Sequence, residues 1–187
     1  MNTVRIIGGK WRRRLLHFSD SEGLRPTPDR VRETLFNWLG QDLGGLSCLD
    51  LFAGSGALGF EAASRGAVKV VMVENSPRVV TALAANARLL DADSQLEIVR
   101  ADAVKFASSL RASGFRFDVL FLDPPYKQGW LDRLSPLLAD LLVDEGILYV
   151  EAERELEACG EWRTVRKGRA GQVFYHLMRR GESNDAE

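Results

Sequence analysis

A chain of 187 residues is long enough for one good core and, by expectation, one domain. Its 45% hydrophobic and 27% charged residues are ordinary for a soluble globular protein, and a formal net charge of −1 excludes a chain that is basic or acidic throughout. No apolar run approaches the roughly 20 residues that span a bilayer, so no membrane partner is expected.

The N-terminal "MNTVRIIGGKWRRRLL" lacks the apolar stretch and small-residue cleavage site of a secretory signal. Cys48 and Cys159 lie far apart with no metal-ligand spacing, which points to a reducing, cytoplasmic setting and no metal site. The near-neutral charge is unevenly spread. Residues 1–32 hold eight basic and three acidic residues, and residues 162–181 hold six basic and none acidic. Basic ends on an acidic middle suggest a polyanion gripped away from a differently charged site.

In chain order, residues 4–8 and 14–18 read as a small hairpin with Gly8-Gly9 supplying the turn. "LRPTPDRVRETLFNWLG" follows as a helix after Pro26 and Pro28, with Asp29 as its cap, Val31, Leu35 and Leu39 on one face, and Gly40 as its stop. Strands are expected at 47–53, 68–74, 96–102, 117–123 and 146–152. Helices are expected between them near 57–65, 77–90, 103–111 and 130–143. Apolar strands alternating with helices mean a mostly parallel sheet covered on both faces. "EWRTVRKG" and "GQVFYHLMRR" then read as a terminal antiparallel hairpin, and the polar tail 182–187 as disordered.

Ligands of an open α/β sheet sit beyond the carboxyl ends of its strands. Four such ends here carry an acid: Asp50, Glu74, Asp102 and Asp123. The loop Gly54-Ser55-Gly56-Ala57-Leu58-Gly59 matches G-x-G-x-x-G, and Glu74 follows its first glycine by 20 residues, as in a dinucleotide site. Charge argues otherwise, because Asp50, Asp102 and Asp123 would repel a pyrophosphate. S-adenosylmethionine has no phosphate and carries a sulfonium and an ammonium group, which suit an acid-lined rim. Gly54, Ser55 and Gly56 would then admit its methionyl part. Glu74 would accept from the ribose hydroxyls. Asp102, followed by Ala103, would accept from the adenine amine.

The strand "FDVLFL" ends in Asp123-Pro124-Pro125-Tyr126. Neither proline can donate to a ladder. An exocyclic nucleobase amine is a poor nucleophile until two acceptors hold its hydrogens, and the Asp123 carboxylate and the freed Pro124 carbonyl are two such acceptors. Tyr126 offers a face on which the base can stack.

"DLFAGSGALGFEAASRGA" followed by "FLDPPY" resembles the amino-directed S-adenosylmethionine-dependent methyltransferases. "VRIIGGKWRRRLL" with "LRPTPDRVRETLFNWL" narrows the resemblance to the bacterial 16S rRNA guanine-N2 methyltransferases of the RsmD family, over about residues 4–178. The resemblance implies an α/β, Rossmann-like class I methyltransferase fold. Its sheet has seven mostly parallel strands, an antiparallel C-terminal hairpin and a small N-terminal β-hairpin extension, divided as 1–24 extension, 25–181 methyltransferase domain and 182–187 tail. It also implies methylation of one guanine, guanine 966 in the usual rRNA numbering, on the small subunit or a late assembly intermediate, with S-adenosylhomocysteine as product, by a monomer.

Carried over by position, Gly54, Gly56, Glu74, Asp102 and Asp123 match cofactor or catalytic sites. Pro124, Pro125 and Tyr126 match the target-base motif, and Arg25, Pro26 and Thr27 match a segment that closes over the cofactor. Arg5, Lys10, Arg12, Arg13, Arg14 and Arg25 are the expected RNA contacts. Where the family usually reads R-G-R, this chain has Arg12-Arg13-Arg14. The alternatives are a DNA adenine-N6 or cytosine-N4 methyltransferase, for which little chain remains as a target-recognition domain, a non-catalytic ribosome-assembly factor, and a dehydrogenase.

Overall fold

The structure, a computed structural model, describes residues 2–19, 24–92 and 94–181. A two-stranded hairpin, β1 (Asn2–Arg5) and β2 (Leu15–Phe18), precedes helix α1 (Asp29–Leu39). The chain then alternates through β3 (Ser47–Asp50), α2 (Ala57–Ser64), β4 (Lys69–Glu74), α3 (Pro77–Leu89), β5 (Leu96–Arg100), α4 (Ala103–Ser113) and β6 (Phe117–Leu122). Two short helices, α5 (Trp130–Leu134) and α6 (Leu138–Leu141), lead into β7 (Leu142–Ala152), β8 (Ala158–Cys159), β9 (Trp162–Ala170) and β10 (Val173–Arg180).

The main sheet has the order β5-β4-β3-β6-β7-β10-β9-β8. Strands β3 to β7 run parallel, and β8, β9 and β10 pair antiparallel. From central β3 the chain winds outward to β5, then crosses over to β6 and winds the other way. The strand order therefore switches between β3 and β6, where an open sheet leaves a crevice at its carboxyl edge.

Side-chain alternation divides each strand between two cores. Cys48, Val70, Met72, Leu96, Val119, Phe121 and Tyr149 face the hairpin, α1, α2 and α3. Leu49, Val71, Val73, Leu120, Leu122 and Leu148 face α4, α5 and α6. Both faces are covered, as apolar strands without polar alternation require.

The structure corrects four sequence expectations. The sheet has eight strands instead of seven, because the two residues Ala158–Cys159 add an edge to β9. The connection between β1 and β2 is a long loop, closed by the Ile6 N–H to the Arg14 carbonyl at 2.9 Å, instead of a tight turn at Gly8-Gly9. Gly9 (φ 74°) packs there against the end of α2, and a Cβ on it would collide with the Ser64 carbonyl oxygen. Asp29 does not cap α1; Pro28 holds that position without a side-chain bond, and Asp29 pairs with Arg5 and Arg32 instead. The helix expected over 130–143 is broken by a 3₁₀ turn at Ser135–Leu137, where Pro136 removes an N–H, and Leu142 already belongs to β7. The expected disordered tail, 182–187, lies outside the described residues.

Candidate active site

Alternation also brings the acids together. On β3 the face that buries Cys48 ends in Asp50, and on β4 the face that buries Val70 and Met72 ends in Glu74. Beyond β6, Asp123 continues the row Val119-Phe121, and on β7 Glu151 continues Tyr149. The same end of a parallel sheet and the same face thus carry a row of carboxyl groups. Asp50 and Asp123 flank the switch point itself, since Asp50 pairs in register with Phe121.

Asp50 is buried, and burial first, then the charge of Glu74, pushes its carboxyl up to about 7 against backbone N–H groups of Phe52, at 3.3 Å, and Gly59. Asp123 is held well above the usual carboxylate range by burial and by Glu151 and Asp50. Glu151, 4% exposed, is raised by burial as well, although its Oε1 accepts from the Thr27 hydroxyl at 2.8 Å and the Tyr149 phenol at 2.9 Å. Glu74 accepts from the Gly54 N–H at 3.1 Å and the Ser76 N–H at 2.8 Å, which ties the end of β4 to the glycine loop. Asp102 is the N-cap of α4, with one oxygen accepting from the Lys105 N–H at 3.0 Å, and Ala103 opens that helix.

Among the described residues none of these five carboxyl groups belongs to an ion pair. Asp50, Asp123 and Glu151, buried without cations and with proton affinities raised by that burial, fit a ligand that brings its own positive charge. The glycine loop fits a closely approaching backbone. Gly54 and Gly56 hold φ of 51° and 80°, and a Cβ on Gly56 would meet the Phe60 ring at 2.6 Å. Ser55 is buried in the same loop, its hydroxyl accepting from the Ala57 N–H.

The elbow Asp123-Pro124-Pro125-Tyr126 leaves β6 beside this loop. Phe52 and Trp130 pack edge to face at 5.2 Å, joining the glycine loop to the segment that follows the elbow. Among the described residues nothing donates to the Pro124 carbonyl. Tyr126 is 38% exposed, and burial with the nearby acids pushes its phenol up to about 12, so it stays neutral. Lys127, at φ 60°, holds a left-handed conformation that a lysine adopts only under constraint. A cleft of about 240 Å³ opens along the elbow, bounded by Pro124, Tyr126, Trp130, Glu151 and Glu153.

Thr27 lies in this site because of a buried charge cluster. Arg32 donates through Nε to the Thr27 carbonyl at 3.1 Å and through Nη1 to Glu61 at 3.2 Å. Glu61 also accepts from Arg65 and from the Ile7 and Gly8 N–H groups at 2.9 and 2.8 Å. One acid thereby locks the hairpin loop, α1 and α2 together. Burial lowers the Arg32 pKa, against the opposing pull of Glu61 and Asp29.

The expected RNA contacts do not gather at the acid rim. The loop carrying Lys10, Arg12, Arg13 and Arg14 packs on Ser64 at the C-terminal end of α2, ~12 Å of helix from the glycine loop. Arg5 pairs with Asp29, Lys10 lies over Trp11 and bonds Gln95, and Arg14 donates to the Leu89 carbonyl. Arg12 and Arg13 are exposed on the loop, whereas exposed Arg25 stands two residues from Thr27, next to the rim. A second cleft, about 430 Å³, lies against this loop between Gly9, Arg12, Asn37 and Arg65, away from the carboxyl row. Glu151 and Glu61 were not among the expected site residues. Glu151 had a legible signal, since "LYVEA" ends a fifth strand in an acid; Glu61, inside a helix, had none.

The fold has wide likeness. A solved putative methyltransferase from Escherichia coli is 42% identical with a TM-score of 0.82, over 96% of this chain and 98% of that one. An RNA methyltransferase from Salinibacter ruber, solved with S-adenosylhomocysteine, shares the fold at 19% identity and a TM-score of 0.65, over 87% of this chain and 98% of that one. The fold is that of the class I methyltransferases. Among curated proteins, the ribosomal RNA small subunit methyltransferase D of Escherichia coli K12 is 42% identical over 189 residues, covering 98% of this chain and 93% of that protein. Its Haemophilus influenzae counterpart is 41% identical over 179 residues, covering 93% and 92%. The family model described as conserved hypothetical protein 95 matches residues 4–179, and the chain belongs to that family, the RsmD family.

Proposed function

We propose that this protein uses S-adenosylmethionine to methylate the exocyclic N2 amine of one guanine in 16S rRNA, guanine 966 in the usual numbering, on the small subunit or a late assembly intermediate. The observation that carries the reading is the Asp123-Pro124-Pro125-Tyr126 elbow beside an acid row that lacks cations. Relatives named as rRNA small subunit methyltransferases support the acceptor class. When bound, S-adenosylmethionine supplies a methyl group activated on a sulfonium. Asp50 faces its cationic part, Glu74 accepts from ribose hydroxyls through its remaining lone pairs, Asp102 does so from the adenine amine, and Gly54 and Gly56 admit the backbone-like methionyl chain.

At the elbow, Asp123 and the Pro124 carbonyl accept the two amine hydrogens and bias the nitrogen toward tetrahedral geometry. Tyr126 stacks the base, worth roughly 1–3 kcal/mol, against the few kcal/mol that unstacking costs. In-line orientation of the amine is the larger demand, able to supply roughly 7–11 kcal/mol. Residues 25–181 form the catalytic unit and 1–24 an RNA-holding extension of a cytoplasmic monomer that needs no metal. Arg25, beside the rim, holds RNA near the target base, and the hairpin arginines reach RNA farther away. Among the described residues no helix is long and apolar enough to cross a membrane.

The test is labelled methyl transfer to unmethylated small subunits, free 16S rRNA and DNA, followed by nucleoside analysis. N2-methylguanosine from the particle is expected. Methylated adenine or cytosine from DNA would replace this reading with the DNA-directed one.

A further inference from the structure

Asp123 and Glu151 meet because β6 and β7 pair in parallel with Leu122 opposite Val150, so the next residue of each strand stands beside the other. Side by side, the two carboxyl groups are in hydrogen-bonding reach of each other, and each shifts the other's proton affinity through that contact. Two carboxyl groups can make that bond only if one carries a proton, since an ionised carboxylate accepts and never donates. Glu151 Oε1 already takes two donors, the Thr27 hydroxyl and the Tyr149 phenol, which makes Glu151 the better-stabilised anion. A proton shared by the pair is therefore better held on Asp123 than on Glu151.

Among the described residues, the titratable groups facing the pair do not supply a compensating cation. They are Asp50 at the end of β3, Tyr149 on β7, Tyr175 opposite Glu151 on β10, and Tyr126 of the elbow with Glu153 behind it. Glu74 acts on Asp50 from β4. On the α1 side, the Arg32 guanidinium engages the Thr27 carbonyl, Glu61 and Asp29.

We infer that Glu151 is a positioning residue that makes Asp123 a timed proton acceptor: the pair holds one proton alone, loses it when a sulfonium cation enters, and takes one back from the methylated amine. In the transfer, the amine lone pair forms the N–C bond and the C–S electron pair stays on sulfur, which becomes a neutral thioether. The amine then gives one proton to the Asp123 carboxylate, where it is shared with Glu151. The positive charge that expelled the first proton disappears in the same event, so proton affinity rises as the second arrives. Uptake rests on the amine reading above. Release does not, and release is what the experiment measures.

Calorimetric titrations at pH 7 in buffers of different ionisation enthalpy count the protons released on binding. S-adenosylhomocysteine keeps the ammonium group and lacks the sulfonium, so the difference between the two ligands isolates the sulfonium effect. The wild-type protein should release roughly half to one proton more with S-adenosylmethionine. Accordingly its affinity for S-adenosylmethionine, compared with S-adenosylhomocysteine, should weaken as pH falls from about 8 to about 6. Glu151→Gln still offers an acceptor to Thr27 and Tyr149 yet cannot share the proton, and it should lose at least half of that difference. Asp123→Asn should do the same and serves if the first variant does not fold. Equal proton counts for the two ligands in the wild type, or an unchanged difference in a folded variant, overturn the inference. A purely structural role for Glu151 would leave the difference intact, and a wrong acceptor base would appear only in the nucleoside analysis.

Discussion

Two buried acids, Glu61 of α2 and Glu151 of β7, lead opposite lives. Glu61 is met by two guanidinium groups and two backbone N–H groups, and its charge is fully answered within the chain. Glu151 is met by two hydroxyls and another carboxyl group, and no cation reaches it, Asp123 or Asp50 among the described residues. A charge answered inside the protein holds the fold together. One left unanswered costs stability and persists where a ligand's charge completes it.

That contrast can be broken at either acid. The largest expected effect is at Glu61. Its replacement by alanine leaves Arg65 buried without its acid and Arg32 with Asp29 alone, and should lower unfolding free energy by about 3–5 kcal/mol in urea titration. The same change at the rim should behave in the opposite way. Asp123→Ala removes a buried acid that no cation answers, so the chemical unfolding midpoint should stay level or rise, while kcat falls about a hundred- to a thousandfold with S-adenosylmethionine binding largely kept. Near-normal turnover would remove Asp123 from the reaction, and a large loss of stability would erase the distinction between the two acids.

The basic hairpin sharpens the contrast on the exterior. Reversing Arg12, Arg13 and Arg14 to Glu should weaken acceptor binding and flatten its salt dependence by about 0.7–0.9 in slope for each phosphate no longer neutralised. Cofactor binding should not change, because the loop lies at the far end of α2 from the glycine turn. An unchanged salt slope would move the RNA surface elsewhere, with the basic β9–β10 hairpin the next region to vary. The smallest effect is at Arg13, which holds φ 71°. Arg13→Gly should raise thermal stability by about 1 kcal/mol or less, since relief of left-handed strain exceeds the added unfolded-state entropy only slightly.

The middle of the fold was legible because its signals are local. Alternating apolar strands and helices define a covered parallel sheet, and each acid at a strand end lies at the carboxyl edge wherever its strand sits in the order. The D-P-P-Y elbow was legible too, since two prolines end a ladder in any context. Boundaries were less so. The helix expected over 130–143 failed at Pro136, and the glycines read as a hairpin turn instead serve close packing on α2.

By itself the sequence determined the period of its elements, the face each residue takes along a strand, and the end of β6 at the elbow, because these depend on neighbours in the chain. Only the tertiary structure decided that Asp123 and Glu151 touch, that Arg32 carries Thr27 to Glu151, and that Glu61 joins hairpin to helix. Those interactions bridge 28, 5 and 54 residues. The first and last depend on which strands and helices pack side by side, and all three on burial that sets the cost of each charge. Spacing along the chain carries neither.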